Sequence, residues 1–275
     1  MKLKYAIAGL VATLVSAAAS AGPFILAGTD ADDHGSTSGG ANLDGWLFMQ
    51  KALENIGGSV TNNNKVVTVL GSGSFALSAA SSAFNKSALF SAGWALQTIS
   101  VGDFASFFSS TGGFTSTGVN SAGILMMDSG FNVTGGVDGS NYVSYAGTIN
   151  NFVGGGGGLL SQANGYEWLG ALGLNVQAVD ESSTGITLTL AGNSNFPGLT
   201  NSDLSAGPYH ERFENVGAIP VLGVSNATGN AIIIGGATGS ITNPGNGNTV
   251  PEPGSIALLG LGLAGMLIVR RRRQG

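Results

Sequence analysis

The sequence DGWLFMQKALENIGGSVTNNNKVVTVLG, residues 44–71, favours an α/β fold. Asp44 can cap a helix that Gly57 ends. Between them, apolar residues recur at the spacing of one helix face, at Trp46, Met49, Leu53 and Ile56. The β-branched run 66–70 then predicts a strand that is bounded by Gly71. A helix followed by a buried strand is the repeating unit of a parallel α/β sheet.

The rest of the chain repeats this alternation. We predict further strands at 24–27, 96–101, 124–127, 159–160 and 186–190, a closing strand pair at 219–224 and 231–234, and helices at 76–90, 148–153 and 166–172. These elements predict one α/β domain, 22–241, in which helices sandwich a mostly parallel sheet. The Gly, Ser and Thr content would also suit an all-β adhesin, but the helix at 44–57 counts against that alternative.

The first 21 residues have the three parts of a secretory signal peptide. Lys2 and Lys4 form a basic start, residues 5–15 form an apolar core, and Ala19-Ser20-Ala21 provides a cleavage site. We therefore expect export through the secretion translocon and cleavage by signal peptidase before Gly22.

The C-terminal end has the pattern of a stop-transfer tail. An uncharged span, 255–269, is followed by Arg270, Arg271, Arg272 and Arg273. Fifteen helical residues extend about 22 Å, short of a hydrocarbon core of ~30 Å, and snorkelling arginines can make up the difference. We predict that 255–269 is a transmembrane segment with its arginines on the cytoplasmic side. The Asn-, Gly- and Pro-rich linker 242–249 joins it to the domain.

Residues 250–275 resemble the PEP-CTERM sorting signal. The resemblance rests on the order of Pro251, Glu252 and Pro253, a short apolar span and an arginine cluster. It implies that an exosortase recognises and processes the tail of an exported protein. It also implies a Gram-negative bacterium that makes exopolysaccharide, which is a candidate partner. The protein would be tethered to the membrane before processing, and would then belong to the cell envelope, cell surface or extracellular space.

Charge and cysteine content exclude several functions. The part between the basic ends has four basic and fifteen acidic residues, a net charge near −11. Such a surface repels nucleic acid and favours solubility. The chain has no cysteine, which excludes disulfides, thiolate metal sites and cysteine nucleophiles.

The stretch INNFVGGGGGLLSQ, 149–162, resembles the class I glutamine amidotransferase pattern, in which a helix meets glycines, a short strand and a sharp nucleophile turn. Residues 196–200, 220–222 and 229–235 are similar to the trehalose-utilisation (ThuA-like) branch of that superfamily. The resemblance implies a flavodoxin-like sheet layout. The family's cysteine is missing, since the turn here holds Ser161 or Gln162.

Ser161, His210 and Glu211 form a candidate catalytic set. They supply the nucleophile, base and orienting carboxylate that a hydrolase needs, and Glu214 is an alternative orienter. The His-x-Glu pair of the amidotransferase family is matched only imperfectly by His210-Glu211. Alternatively, Ser161 caps the following segment and His210 packs in a loop.

Asp30, Asp32 and Asp33 form a candidate metal site. They follow the first predicted strand together with His34, and loops at the carboxyl ends of parallel strands bind ligands in α/β sheets. Carboxylates suit a hard cation such as calcium. The run is not an EF-hand, because its twelfth position is Ala41. Alternatively it is a solvated acidic turn.

Three functions of the central domain stay open. We favour a non-catalytic binding or structural module, because serine is a weak nucleophile unless a positioned histidine and carboxylate activate it. The alternatives are a secreted amidotransferase-like hydrolase using Ser161 and His210, and a cation-dependent polysaccharide-binding domain using the loop 30–33. Aromatic residues that could stack on sugars, although their spacing also suits a core, are Trp46, Trp94, Tyr166 and Trp168.

The two ends predict the mass of the mature protein. In a cell with an active exosortase, the protein should begin near Gly22 and lack the arginines 270–273, because both terminal signals are processed. Intact-mass measurement of the envelope and culture-medium fractions checks this. A species that retains both ends would contradict the sorting hypothesis.

Overall fold

A mixed sheet flanked by helices forms the domain in this computed structural model, which describes residues 23–109, 118–128 and 137–240. The strands are β1 (Pro23–Ala27), β2 (Gly35–Ser38), β3 (Ala41–Leu43), β4 (Val66–Leu70), β5 (Ala95–Ile99), β6 (Ile124–Met127), β7 (Gly158–Ser161), β8 (Gln177–Thr184), β9 (Ile186–Leu188), β10 (Pro208–Glu214), β11 (Val221–Ser225) and β12 (Ala231–Ser240). The α-helices are α1 (Asp44–Gly57), α2 (Ser74–Asn85), α3 (Ala88–Ser91), α4 (Phe104–Ser109), α5 (Ala146–Gly154) and α6 (Leu190–Asn195).

The sheet order is β5-β4-β6-β7-β1-β12-β10-β8, with β11 beside β12 and β9 beside β11. The strands from β5 to β1 pair in parallel, and those from β12 onward pair antiparallel. This confirms the predicted α/β class with a mostly parallel central sheet.

The flavodoxin-like layout is not the one observed. That layout places the first strand between the second and third, whereas β1 here lies between β7 and β12, because the connection 28–65 carries the chain past β7 and β6 to β4.

Alternating side chains of the central strands divide the core into two layers. Ile25 and Ala27 of β1 pack in one layer, and Phe24 and Leu26 pack in the other. Successive strand residues point to opposite faces, so the layers lie on opposite sides of the sheet. Helices α1, α2 and α6 cover the first layer, whereas α4 and α5 cover the second.

Several predicted elements have different bounds. Helix α1 begins at Asp44 itself, and its cap residue Leu43 makes no side-chain cap bond. The predicted helix 76–90 is two helices, α2 and α3, and the predicted helix 166–172 forms only a 3₁₀ turn, Leu169–Leu172. The predicted strand 186–190 ends at Leu188, because the Thr189 side chain caps α6.

Among the helices of the described residues, none combines the length and the apolar character that a membrane span requires. The predicted signal peptide 1–21, linker 242–249 and transmembrane segment 255–269 lie outside the described residues.

Gly28 allows β10 to approach the end of β1. Its carbonyl oxygen accepts from the amide of His210 at 2.8 Å, and its amide donates to the carbonyl of Ile232 at 2.9 Å. A Cβ at residue 28 would lie 2.0 Å from the carbonyl oxygen of Glu211. Only glycine therefore fits where β1, β10 and β12 meet.

This contact predicts that Gly28→Ala destabilises the domain. The added methyl must displace backbone, and overpacking of this kind costs about 1–3 kcal/mol. At this size each kcal/mol lowers the melting temperature by roughly 2–4 °C. The matched control is Gly147→Ala in α5, where a Cβ meets nothing within 4 Å and the helix should be unchanged or slightly stabilised. Equal melting temperatures for the two variants would contradict the close approach.

Candidate functional site

The loops that follow β1 and β7 meet β10 at the carboxyl ends of these two strands. Thr29 Oγ1 donates to Gln162 Oε1 at 3.0 Å, and the amide of Gly165 donates to Glu211 Oε1 at 2.6 Å. The Tyr166 hydroxyl lies 3.0 Å from the carbonyl oxygens of both Ala27 and Ser161. These contacts hold three separate segments of the chain together at the carboxyl ends of the parallel strands, where α/β sheets bind ligands.

The chain has two histidines, and both lie against one buried carboxylate. Asp30 Oδ2 is 3.4 Å from His34 Nε2 and 3.3 Å from His210 Nε2. The Asp30 side chain is 6% exposed, whereas those of His34 and His210 are 51% and 29% exposed. A buried carboxylate therefore orients two imidazoles that solvent can reach. The sequence patterns place His210 and Asp30 in different candidate sites, and the fold brings the two together.

The pKa values of three groups in this region are raised. The hydrogen bond to Asp30 raises the pKa of His210. Burial raises the pKa of Glu211 to about 7, although the bond from the Gly165 amide opposes the shift. Burial and the neighbouring Asp30 charge raise the pKa of Asp33. Three groups within one region of the fold therefore hold protons at a higher pH than they would in the unfolded chain.

Ser161 ends β7 and is fully buried. Its Oγ accepts from the amide of Ala163 at 3.2 Å, as in a turn-stabilising serine. Glu211 is directed to the Gly165 amide, and Glu214 pairs with Arg212 at 2.7 Å. Catalysis by Ser161, His210 and Glu211 stays a prediction, and it requires a movement that exposes Ser161 to a substrate.

The three aspartates of the predicted metal site have different surroundings. Asp30 contacts both histidines, Asp32 is 2% exposed, and Asp33 lines a surface pocket. Among the described residues, no three His, Cys, Asp or Glu side chains are arranged to hold a metal ion. Calcium binding by Asp30, Asp32 and Asp33 stays a prediction, which melting with calcium and with EDTA would test.

A pocket of about 310 Å³ opens beside His34. The pocket is lined by the His34 imidazole and by the carboxylates of Asp33, Asp44 and Asp203. Asp44 has a φ of 54°, a left-handed conformation that is uncommon outside glycine. The pocket suits hydrogen-bond donors and cations and disfavours anions. Local sequence patterns could not predict this pocket, because Asp203 is distant in sequence from the other carboxylates and comes close to them only in the folded domain.

The aromatic residues considered for sugar stacking do not form one platform. Trp46 and Trp94 pack against one core layer, and Tyr166 and Trp168 belong to the other. The latter two are at most 6% exposed. Tyr166 and Trp168 therefore pack in the core, and the sheet separates them from Trp46 and Trp94.

Residues 249–273 match the PEP-CTERM protein-sorting motif. The motif indicates an exosortase-sorted extracellular protein, and it confirms the predicted identity of the tail. Pro251, Glu252, Pro253 and the arginines 270–273 lie inside the matched residues. No curated protein and no solved structure matches the chain. None of these comparisons supports the glutamine amidotransferase resemblance.

The raised pKa values predict that acid stabilises the domain. A group whose pKa is raised on folding binds its proton more tightly in the folded state, so its contribution is complete below the unfolded pKa. That contribution is lost as the pH rises through the folded pKa, which for Glu211 is about 7. The shift of Glu211 alone corresponds to about 3 kcal/mol. We therefore expect the melting temperature to fall between pH 5 and pH 8.

Glu211→Gln should remove much of this pH dependence, because the amide does not titrate. The matched control is Glu214→Gln, on the same strand but 45% exposed, which should retain the wild-type slope. Melting curves between pH 5 and pH 8 measure both. A Glu211→Gln variant with an undiminished slope would contradict the assignment.

Proposed function

We propose that the chain is an exported protein of the cell surface or extracellular matrix, and that its α/β domain is a non-catalytic binding or structural module. The PEP-CTERM motif at 249–273 is the observation that carries the first part. In this proposal the signal peptide 1–21 directs export, and the tail holds the domain at the membrane until an exosortase processes it.

Two observations support a non-catalytic domain. Ser161 is fully buried in its own turn, away from solvent. The chain also lacks the cysteine on which amidotransferase chemistry depends.

A hydroxyl-rich ligand such as exopolysaccharide fits the pocket beside His34. Sugar hydroxyls donate hydrogen bonds to carboxylates, and Asp33, Asp44 and Asp203 supply such acceptors in a volume of about 310 Å³. The net charge near −11 of the part between the basic ends favours neutral over anionic polymers. Dependence of this binding on calcium, through the loop 30–33, is a variant of the same proposal.

A secreted hydrolase is the second candidate function, and one contact favours it. Asp30 Oδ2 lies 3.3 Å from His210 Nε2, so a carboxylate orients this histidine as one does in a catalytic triad, but through Nε2, which leaves Nδ1 as the base. In that case the orienter is Asp30 rather than Glu211, since Glu211 is directed to Gly165.

The sorting proposal predicts the fate of a tail variant. Replacing Pro251, Glu252 and Pro253 with alanine should leave export intact but hold the protein in the membrane fraction, because the apolar span and arginines still stop transfer. Alanine at 244–246 in the linker is the matched control and should be processed normally. Fractionation followed by immunoblotting measures both. Normal release of the tail variant would show that the tripeptide is not recognised.

The non-catalytic proposal predicts no labelling by a fluorophosphonate probe and no turnover of ester or amide substrates. Ser161→Ala and His210→Ala are the controls that assign any signal to the candidate site. Labelling of the wild type that disappears in both variants would establish the hydrolase instead.

A further inference from the structure

Strand β5 forms one outer edge of the sheet among the described residues, and it lacks the features that usually block further pairing. Strand β5 ends the sheet, and β4 is its one neighbour among the described strands. The segment 87–102, which contains β5, has no charged residue and no proline. At the opposite edge, β8 carries Asp180 and Glu181. Edge strands usually carry charges, prolines or bulges that prevent further pairing, and β5 has none of these.

The backbone of β5 presents hydrogen-bonding groups on this edge. The amide of Ala95 donates to the carbonyl of Lys65 at 2.9 Å, and the carbonyl of Ile99 accepts from the amide of Gly71 at 2.8 Å. The polar groups of residues 95 and 99 therefore face β4. Because these groups alternate in direction along a parallel strand, those of Leu96 and Thr98 face outward. The edge thus offers two donors and two acceptors.

Charge makes a second copy of the chain a suitable partner. In each copy the part between the basic ends has a net charge near −11, so two copies repel each other wherever their acidic surfaces meet. The segment around β5 has no charge, and it exposes apolar side chains at Phe90 and Val101, which are 54% and 50% exposed. Two such edges can approach without bringing like charges together.

We propose that β5 pairs antiparallel with β5 of a second copy, about a two-fold axis at Gln97. In this register Leu96 lies opposite Thr98 of the partner subunit, and Thr98 lies opposite the partner's Leu96. Each of these two pairs exchanges two backbone hydrogen bonds. The contact is self-complementary, as a two-fold interface requires. It joins the two sheets into one.

An introduced cysteine can test this register without competing disulfides, because the chain has no cysteine of its own. Gln97 faces itself as a non-hydrogen-bonded pair, with Cα atoms about 4.5 Å apart, so Gln97→Cys can form a disulfide across the axis. Ala95→Cys is the matched control on the same edge and the same face. Its two copies would be four residues out of register, about 13 Å apart, which is too far for a disulfide.

Both variants are made in the full chain and exported in cells. The exported protein is treated with glutathione disulfide, which accepts the two electrons of disulfide formation, and is then analysed by electrophoresis with and without reductant. We expect a reducible dimer from Gln97→Cys and none from Ala95→Cys. No dimer from Gln97→Cys, or equal dimers from both variants, overturns the proposal.

A proline at Thr98 tests the pairing without a crosslink. It removes an outward amide and leaves the bonds to β4 in place, which is where edge strands accept proline. Light scattering on the exported protein should give a dimer for the wild type and for Thr98→Ala, and a monomer for Thr98→Pro. A monomeric wild type, or a dimeric Thr98→Pro, overturns the proposal. If Thr98→Pro does not fold, the cysteine pair decides.

Discussion

The pairing of β1 with both of its neighbours is the interaction on which the rest of the domain depends. Phe24 lies opposite Leu159 of β7 on one side and Gly236 of β12 on the other. This single strand therefore joins the parallel half of the sheet to the antiparallel half, and all of its five residues are buried. The approach is close, since a Cβ at Gly235 would lie 2.1 Å from the Phe24 carbonyl oxygen. The loop that follows β1 is held by a further contact, the hydrogen bond that Thr29 Oγ1 donates to Gln162 Oε1.

Sequence patterns predicted the elements whose buried apolar residues recur at a regular spacing. The run 66–70 and the periodic helix 44–57 bury apolar residues at regular spacing, and the structure has both. Strand β10 was missed because its inward positions include Glu211 between Tyr209 and Phe213, which hides the alternation. Strand β8 was missed because it has no apolar face. The strand order depends on long crossovers, which local patterns do not specify.

The site could be predicted only in part for a related reason. Asp30 and His34 are four residues apart, so their spacing alone predicts that they share one loop. His210 is distant in sequence, and it reaches Asp30 because Gly28 lets β10 lie against the end of β1. The candidate Ser161 was placed correctly at the end of a strand, but its burial depends on how Gln162 and Tyr166 fold over that end. Such burial is a property of the assembled loops.

The division of the core into two layers also divides the intrinsic fluorophores of the protein. Its three tryptophans are Trp46 and Trp94 beside one layer and Trp168 within the other. Trp168 is fully buried, so its emission should be shifted to shorter wavelength than that of the partly exposed pair. The sheet lies between the two groups. Emission spectra can therefore distinguish whether the two sides of the domain loosen together or one after the other, without any added label.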